Sequence, residues 1–131
     1  MSIFVTARIV ATDPELAIAH FAQSSFDPDL VSGGAAPFAR PALLSVYGLA
    51  PNVSAYLELD KTRPLEARAA IAEVVRRYLA ISRDDLVVTY VDTIIVKRVG
   101  ELWLNNRRFL DFVPVDQPWS VAREIPELRR T

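Results

Sequence analysis

The run from Arg63 to Ser82 constrains this chain more than any other. RPLEARAAIAEVVRRYLAIS places Leu65, Ala69, Ala72, Val75 and Leu79 at spacings of four and three, and Ile71, Val74 and Tyr78 widen the stripe. So broad an apolar arc predicts a helix lying on a sheet rather than one standing free in water. Pro64 suits the first turn, and Asp60 or Thr62 can accept hydrogen bonds from the free amides there. Glu73 and Arg77 are four apart in the favourable order, worth about 0.3 kcal/mol on the wet side. Ser82 to Asp85 ends the helix, and Leu86–Val91 (LVVTYV) follows as a strand. Val53–Leu59 (VSAYLEL) precedes it, with Val53, Ala55, Leu57 and Leu59 on one face. Strand, long helix, strand predicts a parallel crossover, normally right-handed.

Other segments are read around this unit. Ile3–Val10 alternates, so that Ile3, Val5, Ala7 and Ile9 form an apolar face and Phe4, Thr6, Arg8 and Val10 point the other way. Thr12 or Asp13 caps a helix whose first turn holds Pro14. Leu16, Ala19 and His20 favour continuing that helix, though LAIAHFAQSSF also fits a buried strand. Phe26 to Arg40 reads as a loop, with Asp27-Pro28-Asp29, then Gly33-Gly34, then Pro37, and it is either a binding loop or a connector. Ala42–Tyr47 (ALLSVY) is a strand ended by Gly48 and the Pro51-Asn52 turn, predicting an antiparallel hairpin with Val53–Leu59. Thr93–Val99 is a further strand. The irregular tail carries Trp119, Val121 and Ile125, which predicts docking on the chain itself or on a neighbour.

Composition narrows the function. A chain of 131 residues is the size of one domain. Fifteen Lys and Arg nearly cancel sixteen Asp and Glu, so no global field draws nucleic acid or an anionic membrane. The basic pairs Lys97-Arg98, Arg107-Arg108 and Arg129-Arg130 read as solvated surface features. No cysteine means no disulfide, thiolate metal site or cysteine nucleophile, and one histidine rules out a multi-histidine metal site within one subunit. No apolar run approaches the ~20 residues of a membrane span. Met-Ser-Ile-Phe-Val lacks the features of a secretory signal, so the expectation is a soluble cytoplasmic protein without cofactor or metal.

Few side chains announce chemistry. His20 among Ala, Phe and Ile reads as a boundary residue making one backbone hydrogen bond, although it alone titrates near neutrality. Arg40, in the Gly/Pro loop, is a candidate for a paired contact with a substrate carboxylate. Asp92 is a carboxylate base or a strand-end turn residue. No phosphate loop, nucleophile elbow or metalloprotease motif is present.

Three patterns then carry a resemblance. They are Gly33-Gly34 with Leu43, Leu44, Ser45 and Gly48; Leu79-Ala80-Ile81-Ser82-Arg83-Asp84-Asp85-Leu86 with Tyr90 and Asp92; and Val99-Gly100, Trp103 and Asn105-Asn106. Over residues 33 to 109 the chain resembles the macrophage migration inhibitory factor branch of the tautomerase superfamily. The resemblance implies an α+β fold, a two-layer sandwich of duplicated βαβ units. It would have a four-stranded mixed sheet, helices on one face, and a homotrimer covering strand edges such as Ile94–Val96. Residues 1–112 would be the domain and 113–131 an extension packing on it or on a neighbouring subunit. The first unit is short, so its helix is cut to two or three turns or the region is rebuilt.

The family's chemistry uses an amino-terminal proline, and Ser2 stands here instead. Its primary amine, once Met1 is removed, has an unperturbed pKa near ~8 and remains a catalytic candidate. Val87 and Thr89 stand where cytokine-like members carry a pocket tyrosine and asparagine. Tyr47, in the place of an aliphatic pocket residue, reads first as a packed strand residue. Arg40, Tyr47 and Thr89 are the substrate-binding candidates, for a small carboxylate. The expectation is a trimeric binding or structural protein that has lost proline-dependent keto–enol tautomerase chemistry. The alternative is an isomerase or lyase acting on a keto/enol carboxylic acid through Ser2 and Arg40.

Overall fold

Alternation in the first strand organises the molecule. In β1 (Ile3–Val10), Val5, Ala7 and Ile9 are all buried, as the apolar face predicts. The computed structural model describes residues 3–22, 31–32, 48–59, 62–91 and 93–121. The remaining elements are α1 (Pro14–Ala22), β2 (Val31–Ser32), β3 (Val53–Leu59), α2 (Pro64–Ile81), β4 (Asp85–Tyr90), β5 (Thr93–Val99), β6 (Glu101–Leu104), a 3-10 turn (Arg107–Phe112) and β7 (Ser120–Val121). The fold is α+β.

The sheet has seven strands in the order β2-β3-β1-β4-β5-β6-β7, not the four expected. Two excursions account for the added breadth: the chain turns back twice after β4, through β5 and β6, and the tail then adds β7 beside β6, in parallel. β1 lies between β3 and β4, antiparallel to both. The α2 crossover therefore joins parallel strands with one strand interposed. β1, α1 and β2 repeat the arrangement around β3. The result is two interleaved split βαβ units. α1 has nine residues, two and a half turns, which is the shortened helix the spacing allowed.

Local chemistry explains the element ends. Asp13 caps α1, its Oδ1 accepting from Leu16 N at 3.1 Å, while the Thr12 hydroxyl donates to Asp84 instead. Asn52 extends the β1–β3 pairing, accepting from Ala11 N at 2.7 Å and donating to Ala11 O at 2.9 Å. The α2 cap differs from expectation: Arg63 is the cap residue and makes no side-chain cap bond, leaving Pro64 to start the helix. Glu73 and Arg77 pair at 3.0 Å as their spacing predicts. β4 runs one residue earlier than LVVTYV suggests, because Val91 turns out of it at φ 55. Val31–Ser32, inside a stretch read as loop, pairs with Ala55 and Ser54. Ala42–Tyr47 and the Gly33-Gly34 loop lie outside the described residues.

Both helices pack on one face of the sheet. Ala17 and Phe21 of α1 meet Ile71, Ala72, Val75, Tyr78 and Leu79 of α2 over the buried rows of β1, β3 and β4. His20 Nε2 lies 2.9 Å from Val74 O, the single backbone contact expected of it. The α2 stripe is only partly buried, however: Leu65 is 81% exposed and Ala69 is also exposed, because the first turns overhang the sheet. Trp119 packs half-buried against the core.

Lys97 and Arg98 are not a solvated pair, since both are buried. Adjacent strand residues point to opposite faces, so the two cations enter different environments. Lys97 lies in one cross-strand row with Arg8, Val87 and Trp103 on the face away from the helices. Its Nζ would stand 3.8 Å from a Cβ on Gly48, an ordinary contact, so it is the backbone angle, φ 78, that selects glycine there. Arg98 turns towards the end of α2, which has no basic residue in its own last turn. The guanidinium donates to Ser82 O (2.9 Å), Asp84 O (2.9 Å) and Leu79 O (3.3 Å), and Gln117 Nε2 also donates to Leu79 O (2.9 Å). A strand and the tail thus close the helix terminus that α2 leaves open.

Candidate functional site: an apolar cleft with an arginine rim

The overhang of α2 leaves space beneath it. Pro64, Leu65, Arg68 and Ile71 line one side of a cleft of about 650 Å³, at the end of the sheet where β1 begins and β4 turns into β5. The register brings the floor together: Val5 lies opposite Tyr90, and Tyr90 opposite Thr93. Ile95 extends that floor, and the 3-10 turn closes the far wall with Phe109 and Phe112. The two phenyl rings stand edge to face at 5.9 Å, a favourable arrangement for aromatic quadrupoles.

Two arginines provide the charge, and they are held differently. Arg68 donates to both carboxylate oxygens of Asp111, one at 3.2 Å, and to Arg108 O at 2.8 Å. Its guanidinium also lies 5.3 Å from the Phe112 ring and 5.8 Å from the Phe109 ring. The Arg108 guanidinium sits 5.1 Å from the Phe109 ring, and no carboxylate among the described residues pairs with it. Among the described residues the rim therefore carries one neutralised cation and one cation that faces an aromatic ring. None of the described lining residues is a carboxylate, an imidazole or an amine. Tyr90 and Thr93 contribute hydroxyls. Such walls suit an apolar body with an anionic end.

Thr89 is the one substrate-binding candidate among the described residues, and it lies away from the cleft. Thr89 is buried on β4, opposite Thr6 and Ile94, beside a register shift between Val88 and Thr89, and it is not a lining residue of this cleft. Ser2, Arg40, Tyr47 and Asp92 lie outside the described residues. Arg68, Arg108, Phe109 and Tyr90 were not singled out. Their one sequence signal was Leu65: an apolar residue starting the α2 stripe ahead of the sheet's edge marks a place where the helix covers something other than strands.

The densest polar cluster elsewhere is structural. Tyr78 OH donates to Asp84 Oδ2 at 2.6 Å, and Asp84 Oδ1 accepts from the Thr12 hydroxyl at 2.8 Å, tying α1, α2 and β4 together. Burial, then the Asp84 hydrogen bond, raises the Tyr78 pKa well above the ordinary phenol value. Burial, then the neighbouring Arg83, lowers that of Arg98. Among the described residues no group of three or more His, Cys, Asp and Glu stands close enough to hold a metal ion. Nor is any described helix long and apolar enough to cross a membrane.

These features define a small α+β chain of split βαβ units with a ligand-sized cleft. No protein-family model, curated protein or solved structure matches it, so its function is argued from its own geometry.

Proposed function

We propose that the chain is a binding protein for a small molecule with an apolar body and one carboxylate, seated in the cleft under α2 with its anionic end at Arg108. The carrying observation is the pairing of an apolar cleft of about 650 Å³ with a rim guanidinium that faces a phenyl ring and, among the described residues, no acid. A guanidinium–carboxylate contact is charge-assisted and can be bidentate, and the Phe109 ring, 5.1 Å from the Arg108 guanidinium, backs the fork. Naphthalene-1-acetate, titrated calorimetrically, is the probe. Saturable binding to one site is expected, weakened about tenfold or more by Arg108→Met and abolished by Thr93→Trp, which fills the floor. No saturable binding to the wild type, or binding indifferent to both substitutions, overturns the proposal.

Loss of tautomerase chemistry belongs to the same proposal. Ser2 replaces the proline, Val87 and Thr89 replace the pocket pair of the resemblance, and the described lining residues bring no substitute base. The purified protein is accordingly expected not to accelerate phenylpyruvate ketonisation. We also infer a cytoplasmic homotrimer; the exposed apolar side chains Leu65 (81%) and Val91 (70%) support the trimer. Native mass spectrometry should give three times 14.6 kDa. A monomer would remove the trimer and leave the cleft standing.

A further inference from the structure

The 3-10 turn is held unlike the other walls of the cleft. Six residues of 3-10 geometry bond weakly along their own backbone, and Phe109 departs from helical angles at φ −99, ψ 17. Beyond that kink Phe112 is buried, whereas Phe109 is only partly so. One end is an anchor and the other a hinged panel.

Arg68 is the clasp between them. It lines the cleft, and it also grips the turn through the Asp111 carboxylate and Arg108 O. Arg76 adds a contact of 3.0 Å to Asp111 O, on the anchored side of the kink. The Arg68 and Asp111 side chains are 37% and 42% exposed, so their pairing is already shared with water and another anion can replace it at small cost. The Arg68 and Arg108 guanidiniums both lie against the Phe109 ring, at 5.8 and 5.1 Å, so a carboxylate at this rim can take the fork that Asp111 occupies.

We propose that the ligand anion exchanges with Asp111 on Arg68, that the freed guanidinium lets go of Arg108 O, and that this loss releases the Phe109 panel while Phe112 stays seated. The proposal rests on the cleft binding a carboxylate and makes Arg68 a second ligand contact coupled to a strap. Loss of Asp111 as a partner should then mimic the ligand.

Hydrogen–deuterium exchange of the full chain tests this, with and without naphthalene-1-acetate, together with stopped-flow association. The reporters are the Phe109 amide, which donates to Asn106 O at 3.0 Å, and the Val113 amide, which donates to Leu110 O at 3.2 Å. Ligand should speed exchange at Phe109 several-fold and leave Val113 unchanged. Asp111→Asn, which preserves shape, should do the same without ligand and raise the association rate several-fold. Binding that slows exchange across residues 107–112 sinks the strap alone. So does an Asp111→Asn variant with unaltered exchange and association. Absence of binding to the wild type sinks the cleft reading and the strap with it.

Discussion

Replacing Arg98 with methionine tests the account of how α2 is finished. The substitution keeps an unbranched apolar stem in a site only 5% exposed and removes the donors. Leu79 O keeps Gln117 as a donor, but Ser82 O and Asp84 O lose the guanidinium. Each part-buried acceptor left without a partner costs about 1–2 kcal/mol. Relief from burying a cation offsets part of this, and a net loss of about 2–3 kcal/mol follows. For a domain of this size that corresponds to a fall in Tm of roughly 10 °C. Urea denaturation followed by circular dichroism should show a lower midpoint with an unchanged slope. Gln117→Ala should couple to it by about 0.5–1 kcal/mol, since both side chains meet at Leu79 O. A loss below about 0.5 kcal/mol, no more than an ordinary surface substitution gives, would refute the reasoning and return Arg98 to the solvated pair that sequence suggested.

Three further outcomes are expected. Val91 is β-branched, 70% exposed and held at φ 55, so Val91→Asn should stabilise the β4–β5 hairpin by about 1 kcal/mol; a lower thermal midpoint would show that the side chain is needed where it is. Asn52→Ala removes both bonds to Ala11 and should cost about 1–2 kcal/mol in urea, whereas an unchanged midpoint would mean that water replaces them. Tyr78 has a folded pKa above its unfolded value of ~10, so the native state holds its proton longer. Its contribution is complete below about pH 10 and lost as pH rises through the folded value. The wild type should therefore lose more stability between about pH 9 and pH 11 than Tyr78→Phe, and equal losses would contradict the burial of the phenol.

Much of the secondary structure was legible, because it follows from local periodicity. Val5, Ala7 and Ile9 alternate and are buried; Val75, Tyr78 and Leu79 fall on one helical face and are buried. Asp13 and Pro14 start α1 through bonds reaching only three residues. The candidate site was not legible. Tyr90, Thr93, Arg68 and Phe109 come from separate elements, and no spacing between them in the chain encodes their meeting. Arg108 looks like half of a basic pair until the ring beneath it and the lack of a described acid beside it are seen. Thr89 was chosen by correspondence with a family position, and its neighbours depend on register that a single strand does not carry.

By itself the amino-acid sequence determined the long helix and the longer strands, and which face of each is apolar, since these depend on bond geometry and on residues a few positions apart. It did not determine which strands lie side by side, that β1 separates the two ends of the α2 crossover, or that Lys97 and Arg98 are buried on opposite faces. Those are outcomes of long-range pairing, in which a charge enters the interior only when distant carbonyls or side chains converge on it. The cleft has the same origin: it exists because a helix longer than its supporting strands overhangs them, and a turn over forty residues away closes the gap.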